Sequence, residues 1–206
     1  MKTVSPYDRK QPPLLVVISG QAGVGKDSLI KQMKARNYPI HFIVTATDRS
    51  ARPGEVHGVD YFFLTTEAFL RMEREGELLE HAIVYGQHKG IPKQQVREAM
   101  ASGKDVIMRI DVQGAMTIRR LVPQAVLIFL MVESEEELSQ RLRSRGDDSP
   151  AQIEKRLAAS RQELARLSEF DYVVFNRDSQ LDRAVDDVIA IIRAEHCRVE
   201  HRVVNL

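Results

Sequence analysis

Several shortages in this sequence each remove a class of protein. A single cysteine, Cys197, among 206 residues excludes an internal disulfide and fits a reducing, cytoplasmic setting. Thirty basic against twenty-nine acidic residues leave a formal net charge of +1, so no overall field draws the chain to nucleic acid or an anionic membrane, and any basic site must be local. The longest apolar run, "AVLIFLMV" from Ala125 to Val132, falls far short of the roughly 20 residues that span a bilayer and lacks the flanks of a signal peptide. There is no internal repeat and no low-complexity tract. What is present suits one soluble domain: 43% of residues are hydrophobic, ample for a core at this length.

The apolar residues fall into short continuous runs separated by helical patterns. "LLVVIS" at Leu14 to Ser19 ends in a glycine-rich turn, as expected of a parallel strand buried on both faces. Val106 to Val112, Ala125 to Val132 and Tyr172 to Phe175 read the same way. A helix is expected from about Lys26 to Asn37, with Pro39 beyond it as a stop. Pro92 suits a first helical turn and Gly103 a helix end; Ser134 with Glu137, and Ser149 with Gln152, have capping-box spacing. This alternation predicts an α/β fold with a parallel sheet covered on both faces. Residues 40–93 differ, with more aromatics, Gly and short alternating runs, and read as an insertion carrying a small mixed sheet.

Between the first strand and helix stands "ISGQAGVGKDSLI", which matches G-x-x-x-x-G-K-[ST] at Gly20, Gly25 and Lys26 but puts Asp27 where a magnesium-binding hydroxyl normally stands. In such a turn successive backbone N–H groups, here those of Gln21, Ala22, Gly23 and Val24 onward, point at one phosphate chain with help from the helix dipole. Further on, "TATDRSARPGEVHGVDYFF" sets Arg49 and Arg52 three residues apart, with Tyr61 following. Two guanidinium forks and a phenol can grip a phosphate monoester, the signature of an acceptor pocket.

Together with "GELLEHA", "IDVQGA", "RLRSRG" and "IEKRL", these stretches resemble guanylate kinases over roughly Leu14 to Ala194. The resemblance implies a three-layer phosphate-loop core of about 14–39, 94–133 and 157–195. It also implies a nucleoside-monophosphate-binding insertion of about 40–93, a helical lid of about 134–156 and a tail of 196–206. The implied reaction is ATP-dependent phosphorylation of GMP or dGMP, with Mg2+ as cofactor. Gly20 to Ser28 would hold the ATP phosphates. By the same resemblance Arg49, Arg52 and Tyr61 bind the GMP phosphate, Thr45 and Glu80 the guanine edge, and Asp111 lies near the acceptor nucleoside. Guanine offers an N–H and an adjacent amino group, two donors that a single carboxylate accepts, whereas adenine offers an acceptor there. Lys26, Arg141, Arg145 and Arg156 would be the catalytic cations around the moving phosphoryl. For Asp111, at a strand's carboxyl end, a helix-capping role near Gln113 is the alternative reading, and the two are compatible.

Four departures mark this chain off. Asp27 replaces Ser or Thr, and Arg109 stands two before Asp111 where the family usually carries an acidic residue; a charge swap, Asp27 pairing with Arg109, is one expectation. Direct ligation of magnesium by Asp27 is another, and Ser28 supplying the hydroxyl a third. Lys89 takes the place of a phosphate-binding Tyr, and Ile91 that of a Ser or Thr contacting guanine, which relaxes the expected base selectivity. These departures keep two rivals in play: a same-fold kinase for another acceptor such as ribose 1,5-bisphosphate, and a catalytically silent protein-binding module. At the ends, residues 1–13 are expected to be a flexible lead-in. His196, Cys197 and His201 lack a fourth metal ligand nearby, and an edge strand or subunit contact is expected instead. Monomer and homodimer both stay open.

Overall fold

The computed structural model describes residues 11–84, 86–144 and 149–206. Its first element is β1 (Leu15–Gly20), followed by α1 (Lys26–Ala35), β2 (Ile40–Phe42), β3 (Thr45–Thr47) and β4 (Tyr61–Phe63). Next come α2 (Thr66–Arg74), β5 (Leu78–Val84), β6 (Gln87–Pro92), α3 (Lys93–Ala101), β7 (Asp105–Arg109) and α4 (Val112–Leu121). The chain ends through β8 (Val126–Met131), α5 (Glu135–Ser144), α6 (Pro150–Leu164), β9 (Tyr172–Phe175) and α7 (Leu181–His196).

The main sheet is parallel, in the order β2-β7-β1-β8-β9. Its central strand shows why the sequence has unbroken apolar runs. Val16 and Ile18 pack into a layer with Leu29 and Met33 of α1 and Val185 and Val188 of α7. Leu15 and Val17 pack oppositely, with Val96 of α3 and Ala115 and Ile118 of α4. With both faces covered, the four residues from Leu15 to Ile18 are all apolar, and no polar residue alternates among them.

A second, four-stranded sheet in the order β4-β3-β6-β5 carries its own small core of Ala46, Phe69 and Leu78. It begins at Thr45, not at Ile40: β2 pairs with β7 in the main sheet, from Ile40 opposite Asp105 to Phe42 opposite Ile107. The expected insertion boundary is therefore a few residues early. A three-residue, half-buried edge strand has too little periodicity to show itself.

Cap chemistry mostly follows the spacing. Ser149 and Gln152 form a reciprocal capping box with Pro150 at the first helical position. Ser134 accepts from the Glu137 N–H at 3.1 Å, but the Glu137 carboxylate reaches back to the Glu133 N–H instead. β7 stops at Arg109, two residues before Asp111, which caps α4. Helix α6 runs through the expected lid boundary at 156 to Leu164, so Arg156 and the core-facing half of that helix form one rod. The tail is not an edge strand: it lies as coil, held where Arg202 bonds the buried Glu195.

Candidate active site

The phosphate loop is built where β1 meets α1. Gly20 has φ 130°, and a Cβ there would sit 1.9 Å from the Leu130 carbonyl oxygen of β8, so only glycine lets the two strands run side by side into the loop. Gly25, at φ 95°, is the N-cap of α1. Lys26 follows and folds across the loop, its Nζ donating to the Gly20 and Gln21 carbonyls at 2.6 and 2.9 Å. Burial lowers its pKa, while the field of Glu163, then of Asp27 and Asp111, opposes that. Outer supports hold the loop. Asn176 Nδ2 donates to the Val24 carbonyl at 2.7 Å, and Arg141 donates to the same carbonyl at 3.2 Å and to the Asn176 carbonyl at 2.7 Å. From α6, Ser160 accepts from Gln21 Nε2 at 2.7 Å and Glu163 from the Ala22 N–H at 3.0 Å.

Sequence reasoning missed Asn176, Ser160 and Glu163, which reach the loop from more than 130 positions away. The one available signal was that Ser160 and Glu163 stand four and seven residues after Arg156, on one helical face.

Of the expected lid cations, Arg156 lines the cleft. Arg141 braces the outer side of the loop and is absent from the cleft wall. Arg145 lies outside the described residues. Ala22, Gly23, Gly25, Lys26 and Asp27 face the cleft, whereas Gly20, Gln21 and Val24 support the loop, and Ser28 lines a separate hollow behind it.

Asp27 and Arg109 meet: the Arg109 guanidinium donates to the Asp27 carboxylate. Arg109 also lies over the Tyr61 ring, with Cζ 4.6 Å from its centroid, while Arg49 Cζ stands 4.7 Å from the same ring. Phenol and both cations thus form one stacked group. Among the described residues no three Asp, Glu, His or Cys side chains gather to hold a metal. The donor set fits magnesium only as an ion carried by nucleotide phosphates, with Asp27 as one protein carboxylate beside it.

The acceptor side is lined by Thr45, Arg49, Arg52, Tyr61, Glu80, Lys89 and Asp111. The Arg49 fork is seated on Glu55, with two bonds of 2.6 Å, and Glu55 also accepts the Arg52 N–H at 2.8 Å. That makes Glu55, in the quoted "RPGE", the organiser of the arginine pair. The Arg49 bond holds the Glu55 carboxyl below its ordinary range. Burial raises the Tyr61 pKa.

Glu80 lies on β5, 3% exposed, with Oε1 lacking any hydrogen-bond partner among the described residues. A Cβ on Gly114 of α4 would come within 2.5 Å of that oxygen, so the glycine in "DVQGA" makes the carboxylate's space. Burial, and then the Asp111 charge, push Glu80 up to about 8. Asp111 Oδ1 accepts from the Gln113 and Gly114 N–H groups at 2.8 and 3.1 Å, so the capping reading holds while the residue also lines the cleft. Lys89, on β6, is brought down to about 8 by burial and then by the nearby Lys26 charge. Thr45, 4% exposed, donates to the Arg109 carbonyl at 3.4 Å. Ile91 is fully buried opposite Glu80.

One end of the cleft is a phosphate loop with its lysine, the other a group of arginines, a tyrosine and a lysine, and beyond these lies the buried Glu80 carboxylate, whose Oε1 has no partner among the described residues. A strand–loop–helix phosphate cradle facing such an acceptor pocket, on a parallel sheet, defines a phosphate-loop kinase. The guanylate kinase family model matches residues 13–195. A rice guanylate kinase 2, designated chloroplastic/mitochondrial, is 48% identical over 195 residues, covering 94% of this chain and 68% of that protein. The guanylate kinase of Halalkalibacterium halodurans is 43% identical over 194 residues, with 94% of each chain covered. The crystal structure of guanylate kinase from Anaplasma phagocytophilum superposes with a TM-score of 0.76 at 29% identity, covering 92% of this chain and 89% of that one. The chain belongs to the guanylate kinase family.

Proposed function

We propose that the protein transfers the γ-phosphoryl of ATP directly to the phosphate of GMP or dGMP, with no covalent enzyme intermediate. The observation that carries the reading is Glu80, a buried carboxylate whose Oε1 has no hydrogen-bond partner among the described residues. Such a group costs stability unless a ligand completes it, and guanine's two adjacent donors do so. A ribose bisphosphate has no base to complete Glu80. A silent binding module has no use for the intact phosphate loop. The family membership points the same way.

In this reading Arg49, Arg52 and Tyr61 hold the attacking phosphate in line, with Lys89 adding charge on the same wall. The acceptor phosphate is already largely ionised at neutral pH, so no general base is required. Lys26, Arg109 and Arg156 line the donor side and offset the charge that builds in the transition state. Magnesium, when bound, would be carried by the nucleotide phosphates beside Asp27 and would supply charge neutralisation there. The second sheet, from Thr45, is the part proposed to close over the substrates and exclude water, against the α5–α6 pair that Ser160 and Glu163 hold on the phosphate loop. A cytoplasmic setting belongs to the same proposal and rests on the single cysteine.

A coupled assay of ADP release with GMP, dGMP, AMP, UMP and ribose 1,5-bisphosphate tests this directly. GMP and dGMP are expected to turn over fastest. Preference for the sugar bisphosphate, or no turnover with any acceptor, overturns the reading.

A further inference from the structure

Arg156, Ser160 and Glu163 occupy positions i, i+4 and i+7 of α6, a single 15-residue helix, and so present one face. That face meets the phosphate loop at two consecutive residues. Gln21 Nε2 donates to Ser160 Oγ at 2.7 Å, a fully buried contact, and the Ala22 N–H donates to Glu163 Oε2 at 3.0 Å. The third member, Arg156, stands in the cleft wall with Ala22, Lys26 and Glu163 itself.

A carboxylate is a costly way to satisfy one backbone N–H at a largely buried place, because an ion loses more hydration there than a hydroxyl does. Glu163 is also the first among the anions whose field acts on Lys26. Placed there, the group ties together the loop amide, the loop lysine and the helix that carries the cleft arginine. Because α6 is one rod, Arg156 cannot change its position over the loop unless the Glu163 contact slides or breaks.

We propose that Glu163 is a positioning residue: by locking α6 onto Ala22 of the phosphate loop, it sets where the Arg156 guanidinium stands relative to the donor phosphates. The proposal rests on the phosphoryl-transfer reading of the cleft. Wild-type turnover of ATP and GMP in the same assay is therefore the control for that reading, while ratios among variants judge Glu163 alone. Misplacing a catalytic group by about an ångström costs up to about a hundredfold in rate.

The experiment is a double-mutant cycle of E163A and R156A on the full chain, read as kcat and as KM for both substrates, with the enzyme concentration raised for the slow variants but kept well below that of either substrate. E163A is expected to lower kcat about 10- to 100-fold while KM for GMP moves less than about threefold. E163A/R156A is expected to be no slower than R156A within about twofold, because a residue acting through Arg156 has nothing left to position. E163Q keeps an oxygen acceptor for the Ala22 N–H and is expected to stay within about threefold of wild type. Multiplicative losses in the double variant, an unchanged kcat in E163A, or a loss in E163Q as deep as in E163A would each overturn the proposal. Should E163A not fold, E163D, which withdraws the acceptor by one methylene, replaces it in the cycle with the same expected pattern.

Discussion

Asp27 and Arg109, 82 positions apart, form an ion pair that joins the first turn of α1 to the carboxyl end of β7. Each departs from the guanylate kinase pattern in the direction that compensates the other: an anion enters the loop and a cation replaces an acidic residue two before Asp111. The side chain of Arg109 is 14% exposed and that of Asp27 57%, so solvent screens the pair and its direct contribution to stability is small. Its consequence lies in the cleft, where an unpaired Asp27 would face the nucleotide phosphates. R109A is therefore expected to weaken binding of a non-hydrolysable ATP analogue, measured without magnesium, about tenfold or more, and D27N/R109A to recover most of that loss. Titration calorimetry on the four proteins checks it; a double variant as weak as R109A contradicts the charge swap.

Gly114 offers a separate test of the base pocket. Its missing side chain leaves the space that Glu80 Oε1 occupies, with a hypothetical Cβ only 2.5 Å away. In G114A the carboxylate must move, and the proposed contact with guanine goes with it. KM for GMP is expected to rise about tenfold or more, whereas Kd for ATP, bound at the other end of the cleft, stays within about twofold. Steady-state kinetics with a separate ATP-binding measurement distinguishes this from general damage, which would move both.

Which parts of the molecule were legible in the sequence follows from how far each interaction reaches. Leu15 to Ile18 could be read as a central strand because both faces are covered, leaving an unbroken apolar run. Gly20 and Gly25 could be read because the backbone itself requires them. The Asp27–Arg109 contact showed as two paired departures from a pattern. By contrast β2, three half-buried residues at a sheet edge, has no period to detect. Glu163, Ser160 and Asn176 touch the phosphate loop from α6 and from the end of β9; spacing from Arg156 marks a shared helical face for the first two, but no local pattern says that this face meets the loop. Glu55 was visible in the motif, but its hold on Arg49 depends on the chain folding back over six residues.

The tail gives a stability prediction independent of catalysis. Glu195 is 1% exposed; Arg202 donates to both its oxygens, at 2.8 and 3.0 Å, and the Tyr172 hydroxyl donates at 2.6 Å. R202A leaves a buried carboxylate with part of its partners missing, at a cost of about 1–3 kcal/mol. For a chain of this size that lowers Tm by about 2–10 °C. The double variant E195Q/R202A, with no stranded charge, is expected to recover part of the loss, and kcat to stay within about twofold throughout. Thermal denaturation of the three proteins checks it; an unchanged Tm for R202A shows that the tail does not clasp the fold.

Glu80 gives the sharpest pH dependence. With its carboxyl lifted to about 8 by burial and then by Asp111, the free protein holds a proton there at neutral pH, yet guanine's two donors require the ionised form. KM for GMP should therefore fall as pH rises from 7 to 8, by up to about tenfold per unit below the pKa, and level off above it. The acceptor's own phosphate titrates near 6, outside this window. A protonated Glu80 can instead donate to adenine's ring nitrogen, so preference for GMP over AMP should narrow toward pH 7. Stability moves in the opposite sense. Because the folded pKa is raised above the unfolded value, the favourable contribution of the protonated group is complete at low pH and is lost as pH rises through about 8. E80Q, which cannot ionise, should therefore raise the Tm of the ligand-free protein more at pH 9 than at pH 6, while its KM for GMP is high and flat with pH. A wild-type KM for GMP that does not change between pH 7 and 8.5 would show that Glu80 is already ionised, or that it does not meet the base.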